Sequence, residues 1–231
     1  MMRRAVAIVP SAGRGTRFGS NKTMTSLKGR PLIAWTLQAL HFVDEIEEVV
    51  PVFAPELMEA ALRLMEVFDF NKVKRIVPGG EERQNSVMNG LRAVESDPDL
   101  VLIHDGVRPL LRPSLVRLSL SSIDDFDGLV VGVPPKDTIK TFDGNVIGNT
   151  LRREGLIAVQ TPQVFRYKTV CKAYEQALSS GRYFTDDASV VEVFGGSIKV
   201  IPGDYSNIKI TTPEDLLIAE AIFKPEIQKE S

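Results

Sequence analysis

Ala5-Val6-Ala7-Ile8-Val9 passes directly into Pro10-Ser11-Ala12-Gly13-Arg14-Gly15-Thr16-Arg17-Phe18-Gly19-Ser20-Asn21-Lys22. An apolar run with no polar alternation is the pattern of a strand buried on both faces, as in the middle of a parallel sheet. The segment after it is glycine-rich and cationic. Ser11, Ala12, Gly13 and Gly15 carry little or no side chain, so their backbone N–H groups can come close to a ligand and point at an anion. Arg14, Arg17 and Lys22 add positive charge to the same loop. Together these features describe a polyphosphate cradle at the end of a strand. The plainer alternative is a solvated basic turn. Two better-known loops do not fit: the dinucleotide fingerprint would need glycine at position 18, which is Phe, and a Walker loop would need glycine directly before Lys22-Thr23, where Asn21 stands.

Downstream, the periodicity alternates between helix and strand. Helices are expected from Pro31 to Leu40, with Pro31 in the first turn, from Pro55 to Glu66, and from Tyr167 to about Leu178. Strands are expected at 48–53, 74–77, 100–103, 129–133 and 198–202. Thr185 reads as an N-cap with acidic residues behind it, and Thr212-Pro213 opens the last helix. Such alternation predicts right-handed βαβ units in a single domain covering residues 1–231. The expected fold is α/β and Rossmann-like: a mostly parallel twisted sheet with helices on both faces. One stretch breaks the rhythm. Asp143-Gly144 between β-prone flanks predicts a hairpin, so residues 134–160 are expected to form a protruding β-arm that leans on another surface, either a second subunit or its own domain.

Two further strand ends carry unusual residues. Pro78-Gly79-Gly80-Glu81-Glu82-Arg83-Gln84-Asn85-Ser86 is a second glycine turn running into a helix, where Gly80 offers bare backbone and Ser86 a hydroxyl. Leu100-Val101-Leu102-Ile103 ends in His104-Asp105-Gly106-Val107-Arg108-Pro109. Ligands of open α/β sheets bind beyond such strand ends, so these loops are expected to converge on one site. Asp105 is placed to hold a ribose or a magnesium ion, which needs only one or two carboxylates beside substrate phosphates. Arg108 either pairs with Asp105 or reaches a phosphate. His41 and His104 have no metal-ligand spacing and are read as structural.

Composition narrows the setting. A net charge of −2 excludes a broad nucleic-acid surface, and no stretch approaches the length of a membrane span. The apolar run before Pro10 is too short for a signal-peptide core, and the single cysteine, Cys171, fits a reducing compartment, so the expected location is cytoplasmic.

With these motifs assembled, the chain resembles the cytidylyltransferases of the non-mevalonate isoprenoid pathway. The resemblance rests on the opening Pro-Ser-Ala-Gly stretch, Gly79-Gly80 with Arg83 and Ser86-Val87, His104-Asp105 with Arg108-Pro109, Thr161-Pro162-Gln163, Thr185-Asp186 and Asn207-Ile208-Lys209. It implies transfer of CMP from CTP to 2-C-methyl-D-erythritol 4-phosphate with a divalent cation, Mg2+ or another, in a homodimer built through the arm. By that likeness Arg17 and Lys22 stabilise the transition state. Arg153 and Lys209 position the acceptor, Arg153 serving the neighbouring subunit, and Asp105, Arg108, Thr138 and Thr185 line the acceptor and metal region. Ser11, Ala12, Gly13, Gly15, Gly80, Glu81, Arg83, Ser86 and Gly106 form the nucleotide set.

The chain departs from the family pattern in carrying Asn21-Lys22-Thr23 where Pro-Lys-Gln is usual, on a loop about two residues shorter, which makes Lys28 the alternative catalytic lysine. It also has Ser206 where some members have Asp. A ribitol 5-phosphate cytidylyltransferase and a non-catalytic nucleotide-binding protein are the competing readings.

Overall fold

The computed structural model describes residues 4–13 and 22–224. Its strands are β1 (Ala5–Ser11), β2 (Ser26–Leu27), β3 (Arg30–Pro31), β4 (Ile46–Phe53), β5 (Val77–Pro78), β6 (Leu100–Ile103), β7 (Gly128–Val133), β8 (Lys140–Asp143), β9 (Val146–Thr150), β10 (Ala158–Arg166) and β11 (Ile198–Pro202). Its helices are α1 (Leu32–His41), α2 (Met58–Phe68), α3 (Arg83–Arg92), α4 (Pro113–Ser121), α5 (Tyr167–Ser179), α6 (Asp187–Val193) and α7 (Pro213–Ile222). Seven strands form one sheet in the order β11-β7-β10-β6-β1-β4-β5. All neighbours are parallel except β10, which runs antiparallel between β6 and β7.

The opening run explains why this sheet has two covered faces. Ala5, Ala7 and Val9 pack with Ile33 and Leu37 of α1, Leu64 of α2 and Val116 of α4. Val6 and Ile8 point the other way, toward Val87 and Leu91 of α3, Ala173 of α5 and Val190 of α6. Successive strand residues face opposite sides, so a strand between two helical layers must be apolar at every position. A satellite core seats α7 through Ala219 and Phe223 on Leu27, Leu32 and Trp35. No helix of the described residues is long and apolar enough to cross a membrane.

The structure corrects several element expectations. The third strand is only Val77–Pro78, because Lys74, Arg75 and Ile76 do not join the ladder. Arg75 instead pairs with Glu48 and with Glu95 at the surface. Pro31 lies one position before α1 with extended backbone, where it pairs with Ser26. A helix begins at Pro113 that the periodicity reading did not identify, although proline suits a first helical turn. The N-cap of α6 is Asp186, whose Oδ1 accepts from the Ser189 N–H at 3.0 Å, and not Thr185. Lys28 sits at the tip of the β2–β3 hairpin with φ 48°, beside Gly29 at φ 81°. Positive φ at both turn residues is what a two-residue hairpin loop requires.

The arm is present as a two-stranded β8–β9 hairpin separate from the main sheet, with its turn at Gly144-Asn145. Every residue of both strands is exposed.

Candidate active site

β1 has β4 on one side and β6 on the other, so the crossovers leave it in opposite directions and a crevice opens beyond its C-terminal end. The ends of β1, β5 and β6 meet there. Gly79 allows two of these loops to touch: a Cβ on it would lie 2.2 Å from Ala12 Cβ and 2.9 Å from Ser86 Oγ. Ser86 is spent on the loop itself, its hydroxyl oxygen accepting from Gly80 N–H at 3.1 Å and its O–H donating to the Glu82 carbonyl at 3.2 Å. Gly106 lines neither of the two cavities of this crevice. It lies behind Ser11, whose Oγ a Cβ would meet at 2.0 Å, so that glycine lets the β6 loop pass the end of β1.

Two cavities share this crevice. The first is walled by Ser11, Ala12, Gly13, Lys22, Gly80, Glu81 and Ser86. The second, of about 440 Å³, is walled by Arg108, Gln160, Thr161, Gln163, Thr185 and Asp186. Arg83, Asp105 and Lys209 belong to both and form the partition between them.

The partition is a buried charge cluster centred on Asp105. Its Oδ1 accepts from Arg83 Nε at 3.3 Å, and its Oδ2 meets Lys209 Nζ at 3.0 Å and Arg108 Nε at 3.4 Å. Burial pushes the Asp105 carboxyl pKa up, but Arg83, Lys209 and Arg108 outweigh it and hold the group well below the usual carboxylate range. Asp105 is therefore an anion that only accepts hydrogen bonds. Its own N–H donates to Thr161 Oγ1 at 3.1 Å, and Arg108 also donates to the Asn207 carbonyl at 2.7 Å. His104, fully buried, is structural: Nδ1 lies 3.1 Å from Thr161 Oγ1, and Nε2 lies 3.4 Å from the Arg108 carbonyl.

The structure thus brings together Ser11, Ala12, Gly13, Lys22, Gly80, Glu81, Arg83, Ser86, Asp105, Arg108, Thr185 and Lys209 around one crevice. Arg17 and Gly15 lie outside the described residues. Thr138 and Arg153 are exposed at the arm and line neither cavity, Arg153 donating to the Lys136 carbonyl at 2.8 Å. Lys28 also lines neither. The sequence reading gave no role to Gln84, Tyr174 or Asp187, which buttress the partition from behind. Only the acidic pair Asp186-Asp187 hinted at them, and it reads equally well as decoration of a helix start.

Among the described residues no group of three or more His, Cys, Asp or Glu side chains could hold a metal ion. The chemistry of the site still suits magnesium, which is bound by one or two carboxylates and completed by substrate phosphates. The long 3.3 Å contact leaves Asp105 Oδ1 with acceptor capacity to spare.

Comparison with known proteins agrees with this geometry. Residues 5–225 match the family model described as 2-C-methyl-D-erythritol 4-phosphate cytidylyltransferase. The chain is 46% identical over 228 residues to the protein of that name from Geotalea uraniireducens, covering 96% of this chain and 97% of the relative. It is 44% identical to that from Pelotomaculum thermopropionicum, covering 96% and 95%. A crystal structure of 4-diphosphocytidyl-2C-methyl-D-erythritol synthase from Anaerococcus prevotii superposes with a TM-score of 0.85 at 32% identity over 95% of each chain. The cytidylyltransferase from Thermus thermophilus gives 0.79 at 30% identity, covering 96% and 98%.

Proposed function

The chain belongs to the family of 2-C-methyl-D-erythritol 4-phosphate cytidylyltransferases, CTP-dependent nucleotidyltransferases, and we propose that it transfers CMP across the Asp105 partition. CTP occupies the cavity of the β1 and β5 loops, and the acceptor phosphate occupies the cavity of β10 and α6. The observation that carries this division is the sharing of Arg83, Asp105 and Lys209 by both cavities. The bond that forms must join the contents of one to the contents of the other, and the partition is where they meet.

An acceptor phosphate oxygen attacks the α-phosphorus of CTP in line, and pyrophosphate leaves. A phosphomonoester has its second pKa near about 6, so the nucleophile is already an anion at neutral pH and needs no general base. The site's task is charge neutralisation. Negative charge grows on the α-phosphate oxygens and the leaving pyrophosphate, and cations fixed in advance offset it without reorganising. Lys22 and Arg17 serve the nucleotide side, and Lys209 and Arg108 the acceptor side. Asp105 would hold Mg2+ together with the nucleotide phosphates, and the ion would add charge neutralisation there.

Pyrophosphate release with Mg2+, CTP and either 2-C-methyl-D-erythritol 4-phosphate or ribitol 5-phosphate tests the reading. Release with CTP and the methylerythritol acceptor alone supports it; release with ribitol 5-phosphate alone moves the acceptor, and none with either returns the chain to a nucleotide-binding role. Lys22→Ala is expected to lower kcat by about 100-fold while KM for CTP changes less than about threefold. The opposite split, with affinity lost and rate kept, would assign Lys22 to ground-state binding.

The arm completes the site in our reading. Phe142, Val146 and Ile147 are 75%, 71% and 61% exposed on a two-stranded hairpin, a structure marginal in water without a surface to lean on. A second copy supplies that surface, and Arg153 and Thr138 then face the neighbour's acceptor cavity. Sedimentation is expected to give a dimer at micromolar concentration, and a monomer with full activity would remove the arm from the mechanism.

A further inference from the structure

Arg83 is held from behind by a carboxylate that lines neither cavity. Asp187, fully buried in the first turn of α6, takes the guanidinium bidentately, Oδ1 from one terminal nitrogen at 2.8 Å and Oδ2 from the other at 2.7 Å. Tyr174 of α5, also buried, donates its hydroxyl to Asp187 Oδ1. Burial and the neighbouring Asp187 charge push the Tyr174 hydroxyl pKa well up, so it stays a donor. The third bond of Arg83, from Nε, goes to Asp105 at 3.3 Å. A guanidinium has five N–H donors, so among the described residues two are left without a protein partner on a group that lines both cavities.

The next residue repeats the link. Gln84 donates to the Arg182 carbonyl at 3.0 Å and accepts from the Phe184 N–H at 3.2 Å. The first turn of α3, directly after the Gly79-Gly80 loop, is therefore bolted to the segment that presents Thr185 and Asp186 to the second cavity.

We propose that Asp187 is a positioning residue for the transfer: it locks the Arg83 guanidinium in the partition with two N–H donors turned to the reacting phosphates. An arginine left to itself must lose rotamer entropy on binding phosphate, and a fixed bidentate partner has already ordered it. Asp187 acts only through Arg83, Tyr174 acts only through Asp187, and Gln84 sets the register between the nucleotide loop and the acceptor segment.

The inference rests on the transfer reaction proposed above, and wild-type pyrophosphate release tests that reading separately. Given an active wild type, the test is a double-mutant cycle with Arg83→Met, Asp187→Asn and the pair, read as kcat/KM alongside thermal unfolding. Asp187→Asn is expected to cost about 100-fold in kcat/KM when Arg83 is present and less than about threefold in the Arg83→Met enzyme. Tyr174→Phe keeps the packing and is the safeguard should Asp187→Asn fold poorly. It is expected to cost about fivefold with Arg83 present and nothing without it. A purely structural Asp187 would lower the unfolding temperature and leave the activity losses independent, so that they multiply. Multiplying losses, or full activity in Tyr174→Phe together with Asp187→Asn, would overturn the proposal.

Discussion

Asp105→Asn is expected to lower kcat by about 1,000-fold while CTP affinity stays within about threefold of wild type. The substitution preserves shape and removes one charge. It leaves Arg83, Arg108 and Lys209 converging on an amide whose nitrogen can only donate, so at least one cation loses its acceptor. Ground-state binding of a polyanion gains from the extra net positive charge, whereas the transition state loses the anion that aligned the three cations and would hold the metal. Rate and affinity therefore separate. Isothermal titration with CTP beside steady-state kinetics would show it, and a kcat within about threefold of wild type would remove Asp105 from the centre of the mechanism.

The same variant is expected to lose about 3 kcal/mol of folding stability. That is near the lower end for breaking a buried ion pair, because Arg83 keeps Asp187 and Arg108 keeps the Asn207 carbonyl. The pH dependence follows from the direction of the Asp105 shift. A carboxyl whose folded pKa is depressed contributes its full stability above the unfolded value, near about 3.9, and loses it as pH falls below that. Urea unfolding of wild type and variant should therefore differ by a constant amount from about pH 5 to 8.

Much of this fold could be read from residues 5–9. Unbroken apolarity signals burial on both faces, and the structure gives Ala5, Ala7 and Val9 to one helical layer and Val6 and Ile8 to the other. The convergence of the three loops was legible for the same reason: a parallel sheet brings its strand ends to one edge. The antiparallel insertion of β10 was not, since strand direction in the sheet leaves no mark on a local apolar run. Nor was the short β5, where Lys74 and Arg75 have the flanking context of a strand but the Arg75 guanidinium is drawn to Glu48 and Glu95. Asp187 was illegible because its partner Arg83 stands 104 residues away in sequence. Local pattern can identify a glycine loop or a cap, but a buried ion pair between distant elements exists only once the sheet has placed both helices.

His104 should dominate the loss of stability between about pH 6.5 and 4.5. The Arg108 carbonyl can only accept, so Nε2 carries the ring proton, and Nδ1 accepts from the Thr161 hydroxyl, which in turn accepts from the Asp105 N–H. That arrangement requires neutral imidazole. Burial and the nearby Arg108 charge lower the folded pKa to about 3 from the ordinary 6.5. Below about pH 6.5 the unfolded chain takes up a proton that the folded chain refuses, so stability falls as pH falls, by about 1.4 kcal/mol per pH unit once the unfolded histidine is charged. His41 shifts the same way through burial and Lys72, so the comparison must be made against a His104 variant and not against a flat line. His104→Gln retains a donor for the Arg108 carbonyl and cannot titrate. Urea unfolding of both proteins at intervals from about pH 7 to 4.5 is expected to give curves that approach one another by about 2.5 kcal/mol toward acid. The Asp105 contribution lies below this window and does not interfere. Parallel curves would mean that folded His104 accepts the proton. The Thr161 hydroxyl would then lose its acceptor, and the chain of bonds that orients Asp105 from behind would have to be redrawn.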